Sequence, residues 1–117
     1  MASFIPKKQS GKYKAVASGA ITNGKPVLVN ANGTVSQVSG SVTLTTENFI
    51  GIASGGTYAS AAEATIDVVG TVNKNQTSLT AGQTYFVQTD GTLGTSADDP
   101  SVVAGTAISA TELIVKG

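Results

Sequence analysis

Residues 21–35, Ile21-Thr22-Asn23-Gly24-Lys25-Pro26-Val27-Leu28-Val29-Asn30-Ala31-Asn32-Gly33-Thr34-Val35, return as Leu79-Thr80-Ala81-Gly82-Gln83-Thr84-Tyr85-Phe86-Val87-Gln88-Thr89-Asp90-Gly91-Thr92-Leu93. Five positions are identical, two of them glycines at the same spacing. A Gly-centred apolar run follows each copy, Phe49-Ile50-Gly51-Ile52-Ala53 and then Val103-Ala104-Gly105-Thr106-Ala107. Each half closes on a short apolar run with polar ends, Thr65-Ile66-Asp67-Val68-Val69-Gly70 and Glu112-Leu113-Ile114-Val115-Lys116-Gly117. A pattern of turns and apolar positions that repeats within one short chain specifies two like structural halves, here at approximately 15–70 and 71–117.

The local signals are those of strands. Val27/Val29 and Tyr85/Val87 alternate with their neighbours at the two-residue strand period. Asn32-Gly33 and Asp90-Gly91 lie between apolar runs, as hairpin turns do. Gly24 and Gly82 precede strands and are expected at positive φ in a turn. Strands are expected at 14–18, 26–30, 34–38, 42–45, 48–53, 64–69, 84–89, 102–108 and 112–116. Ala59 to Ala64 reads as loop or one brief helical turn, too short to stand alone. The expected fold is a single all-β domain over 15–117, a small β-barrel or sandwich built from two similar halves.

Composition narrows the chemistry. At 117 residues the chain is one domain with room for a modest core. It contains no cysteine, which excludes disulfides and thiolate metal sites. It also has no histidine and no arginine. The commonest general base and metal ligand are therefore missing, and so is the bidentate clamp for phosphates and guanine edges. No catalytic residue, cofactor or metal is expected, and a sequence-reading nucleic-acid role is disfavoured. No stretch reaches the ~18 apolar residues of a membrane span, and no apolar signal region opens the chain. A soluble protein made in the cytoplasm is expected.

The charge is uneven. Lys7, Lys8, Lys12 and Lys14 fall in the first fourteen residues, which hold no acid, while the remainder carries three lysines against seven acids. Residues 1–14 are expected to form an extended basic arm, because Pro6 opposes helix and the lysines oppose burial. Phe4 and Ile5 stand out there as bulky apolar residues with no core to enter. Phe4, Ile5, Pro6, Lys7 and Lys8 are the candidate binding residues: the apolar pair would dock on a partner while the lysines meet carboxylates. The arm is expected to be mobile in the free protein and ordered on that partner.

Three other patterns read as turns. Gly19 to Pro26 falls one residue short of a phosphate-binding loop, but Pro26 offers no hydroxyl for Mg²⁺ and a strand follows where a helix is required. Asp98-Asp99-Pro100, with Asp90 upstream, lacks the ligand spacing of a calcium loop. Asn32-Gly33-Thr34 and Asn75-Gln76-Thr77 fit the glycosylation pattern but occupy turn positions.

The order of Phe49-Ile50-Gly51-Ile52-Ala53, Ala64-Thr65-Ile66-Asp67-Val68, Leu79 to Val87 and Val103-Ala104-Gly105-Thr106-Ala107 resembles the small capsid decoration (cement) proteins of tailed bacteriophages. The resemblance runs over about residues 15–117. It implies a β-tulip-like fold that forms a homotrimer on the virion's outer capsid at local three-fold positions. There it would bridge neighbouring major capsid proteins, its arm adding to a capsid strand. It implies no catalytic or metal residues; composition already speaks against a specific nucleic acid or a membrane as partner. Similar modules occur in tail fibres and other virion surface proteins, so a receptor- or glycan-binding module is the alternative. A chain expected to be complete at 117 residues, with no fibrous region, ranks that alternative second. A cell-surface adhesin, lacking an export signal, ranks third.

Overall fold

The structure is a computed structural model that describes residues 12–116. Its ten strands are β1 (Lys12–Val16), β2 (Pro26–Val29), β3 (Val35–Gln37), β4 (Phe49–Ser54), β5 (Glu63–Val68), β6 (Val72–Asn73), β7 (Thr84–Val87), β8 (Leu93–Gly94), β9 (Val103–Ala107) and β10 (Leu113–Val115). No helix occurs among the described residues. The fold is all-β, two five-stranded sheets with every strand ladder antiparallel.

The sheets are the sequence repeat made solid. Their strand orders are β1-β5-β4-β2-β3 and β6-β10-β9-β7-β8, and renumbering each strand by five converts one into the other. Equivalent backbone bonds recur almost unchanged. Gly24 N–H donates to Ala53 O at 2.9 Å, and Gly82 N–H to Ala107 O at 2.8 Å. In the hairpins, Gly33 N–H donates to Asn30 O and Gly91 N–H to Gln88 O, both at 2.9 Å. Asn32 Oδ1 accepts from Thr34 N–H and hydroxyl as Asp90 Oδ1 does from Thr92, so a short polar side chain shapes each tip.

Gly51 and Gly105 are needed for a second reason. The ladder shifts register between Val27 and Leu28 against β4, and again between Tyr85 and Phe86 against β9. At these bulges the neighbouring strand comes so close that a β-carbon on Gly51 would overlap Asp67 O, and one on Gly105 would overlap Ile114 O.

Packing breaks the symmetry between the halves. The inner side of the first sheet (Val27, Val35, Ala53, Ala64, Ile66) buries Ala17 and Ile21, with Tyr58 packed against them. A parallel bridge between Ala17 and Val35 brings the end of the first strand back to β3, partly closing this sheet on itself. Its other side (Leu28, Ile52, with Phe49) joins the core of the second half, among Tyr85, Val87, Ala104, Leu113 and Val115. Fully burying side chains such as Leu28 and Ile52 contributes about 1.5–3 kcal/mol each. One half thus serves as the lid of the other.

Three details differ from the sequence reading. Residues 42–45 form no strand, because Asn48 receives Thr45 N–H and donates to Thr43 O, satisfying that backbone by side chain. β6 and β8 were not anticipated; at two residues each they are too short to show a period. At residues 59–62 the loop reading holds, with turns and no helix, and β5 starts at Glu63. Lys12, Tyr13 and Lys14, expected in the arm, lie in β1 opposite Asp67, Ile66 and Thr65.

Candidate functional site

Phe4, Ile5, Pro6, Lys7 and Lys8 lie outside the described residues. What the structure does describe is the root from which they extend. β1 pairs with β5 over five register positions, Lys12–Asp67 through Val16–Glu63. Lys12 and Lys14 are exposed on this strand, and lysines on a sheet margin discourage pairing with stray chains.

A polar network locks this root to both halves. The Lys12 ammonium pairs with Asp67 Oδ1, and the Asp67 side chain is only 2% exposed. Ser54 Oγ donates to the same oxygen at 3.2 Å, while Asn73 Nδ2 of β6 donates to Asp67 Oδ2 at 3.0 Å and to Ala53 O at 3.2 Å. Asn73 Oδ1 in turn accepts from Asn75 N–H and from Gln76 Nε2, which also reaches Gly24 O at 2.8 Å. Every buried partner is satisfied, as a low-dielectric interior demands. With both carboxylate oxygens occupied, Asp67 is placed as a clasp between the sheets, not as a base. Its only sequence signal was an acid inside the apolar run Ile66-Asp67-Val68.

Two clefts flank this clasp. One, of about 430 Å³, is lined by Lys12, Ser54, Thr65, Asp67, Val72 and Lys74 among others, and so joins the arm root to the edge strand β6. The other, of about 300 Å³, includes Asn23, Lys25, Asn75, Gln76, Thr77 and Thr92. Asn23 lines this cleft, and its side-chain Oδ1 is buried without a hydrogen-bond partner.

The outer face of the second sheet also carries apolar side chains. Val72, Phe86, Val103 and Ile114 are partly buried and belong to neither core cluster. Register aligns them: Ile114 stands opposite Val72, and Phe86 opposite Val103.

The phosphate-loop look-alike is a turn into a strand, with Lys25 N–H donating to Thr22 O before β2 begins. The calcium look-alike is a turn clamp. Asp98 Oδ2 accepts Thr89 N–H at 2.8 Å, and Oδ1 accepts Asp99 N–H at 2.8 Å. The Thr89 and then the Asp99 backbone bonds hold the Asp98 carboxyl below its ordinary range, and the Thr92 hydroxyl and N–H do so for Asp90. Among the described residues, no three acidic side chains gather where a metal could be held.

No protein-family model matches the chain, and no curated protein matches it either.

Proposed function

We propose that the chain is a virion structural protein, without catalytic activity, that decorates the outside of a tailed-phage head and clamps neighbouring major capsid proteins. The observation that carries this reading is the construction of the arm's root. A tether that bears load must pass tension into its body, and a pull along β1 loads all five register pairs with β5 together. The Lys12–Asp67 pair and the Asn73 bond then spread that load across both sheets. Phe4 and Ile5 would supply the grip, by strand addition with apolar side chains setting the register. Three such arms on a homotrimer would turn a weak contact into a strong one where capsid sites match their spacing. The order of repeat motifs, which resembles the decoration proteins, adds independent support.

A second reading, a tail-fibre or surface module that binds a receptor or glycan, is favoured by the polar cleft around Asn23 and Gln76. Cryo-electron microscopy of the parent particle separates the two. Density outside the head in hundreds of copies is expected. A handful of copies in the tail, or none on the particle, overturns the decoration reading.

A further inference from the structure

We infer that Asn32, at the tip of the β2–β3 hairpin, is a site of spontaneous deamidation that turns it into an acidic residue, while the fold protects Asn23. The chain holds six asparagines, and only Asn23 and Asn32 precede glycine. In the reaction the Gly33 backbone nitrogen attacks Asn32 Cγ, forming a new N–Cγ bond and giving up its proton. The Cγ–Nδ2 bond breaks, and Nδ2 takes up a proton and leaves as ammonia. Water then opens the resulting five-membered imide at either carbonyl, leaving aspartate or its isomer with the backbone routed through Cγ. Glycine favours the attack, because no side chain shields its nitrogen.

Geometry separates the two sites. Asn32 and Gly33 are both exposed, and nothing lies within 4 Å of where a β-carbon on Gly33 would stand. Gly24 is buried, and a β-carbon there would stand 2.5 Å from Asn75 O. Each attacking N–H is held by a carbonyl at 2.9 Å, Gly33 by Asn30 O and Gly24 by Ala53 O. Freeing the first opens only a hairpin tip. Freeing the second parts the turn before β2 from the buried Ala53 of β4. Exposed tips open at far lower free energy than core elements. Asn32 Oδ1 also accepts from Thr34 N–H at 3.1 Å and from its hydroxyl at 2.7 Å. Two donors on that oxygen stabilise the charge that develops there when Cγ is attacked. Asn23 Oδ1 has no such partner.

The repeat shows that the fold accepts the product. Asp90 holds the position of Asn32 in the second half, with Gly91 after it. Its Oδ1 accepts from Thr92 N–H at 3.0 Å and from the hydroxyl at 2.7 Å, and an aspartate at 32 can take the same two bonds from Thr34. The isomer does not fit, because its longer backbone breaks the spacing of the Gly33–Asn30 and Asn30–Thr34 bonds. The reaction needs only water and depends on neither functional reading.

The test incubates the folded full chain in warm, mildly alkaline buffer beside the same chain held unfolded in urea, until the unfolded chain is modified at both Asn-Gly pairs. Tandem mass spectrometry of proteolytic peptides reads the one-dalton gain at each asparagine. The folded protein should gain it at Asn32 at least about tenfold faster than at Asn23, and unfolding should bring the two rates together. Equal rates in the folded chain, or an Asn32 that stays intact there, overturn the proposal. Asn32→Asp checks the product. Its urea midpoint at neutral pH should match that of the natural chain, and a marked loss of stability would overturn the claim that the fold accepts it.

Discussion

Lys12 and Asp67 face each other across β1 and β5 at the ladder position that Val72 and Ile114 hold across β6 and β10. One half places an ion pair there and the other an apolar pair, and the environment explains the difference. Asp67 looks toward the junction of the halves, where Ser54 and Asn73 can satisfy it. Ile114 is partly buried on the outer face of the second sheet and belongs to neither core cluster.

Removing either partner should destabilise the fold. Asp67→Ala strips Ser54 and Asn73 of one hydrogen bond each and should cost about 1–3 kcal/mol. Lys12→Ala should cost less, because the Lys12 side chain is 49% exposed and its charge is screened. Importing the other half's pair, Lys12→Val with Asp67→Ile, should be less damaging than the sum of the two alanine variants. Urea denaturation of the variants measures this, and a double variant at or beyond that sum contradicts the coupling.

The two bulge glycines should be equivalent in energy as they are in place. Gly51→Ala and Gly105→Ala each push a β-carbon into a carbonyl oxygen, an overpacking that should cost about 1–3 kcal/mol or more. Gly19 has open space around it, so Gly19→Ala should be close to neutral. Chemical denaturation of the three variants decides the point, and equal stabilities would remove the close-approach explanation.

Acid should weaken the hairpin of the second half. Hydrogen bonds lower the carboxyls of Asp98 and Asp90 in the folded protein. A depressed carboxyl stabilises the fold above its unfolded pKa and loses that contribution as pH falls through the folded value, here below about pH 4. Thermal melts from pH 7 to pH 2 should fall more steeply for the natural chain than for Asp98→Asn with Asp90→Asn. Parallel curves would show that these bonds carry no pH-dependent stability.

Short-range features were legible in the sequence and long-range ones were not. The Asn32-Gly33 and Asp90-Gly91 hairpins and the positive φ of Gly24 and Gly82 follow from chemistry within a few residues. The apparent strand at 42–45 misled because Val42 and Leu44 alternate correctly, and only the amide of Asn48 diverts that backbone. The end of the arm was misplaced because Lys12 reads as solvated until its partner, 55 residues away, is known. Nothing in either copy of the repeat reveals that one sheet caps the other, since Leu28 and Phe86 look alike in sequence and differ only in what covers them.

The central claim is that residues preceding β1 anchor this β body to a phage head. Its most direct test mixes undecorated heads with the full chain and with a deletion of residues 2–11, which spares the Lys12–Val16 strand. The full chain should bind and sediment with the heads, while the truncated protein folds normally and binds far less. Undiminished binding by the truncated protein would move the interface onto the sheets, and failure of the full chain to bind would contradict the decoration role itself.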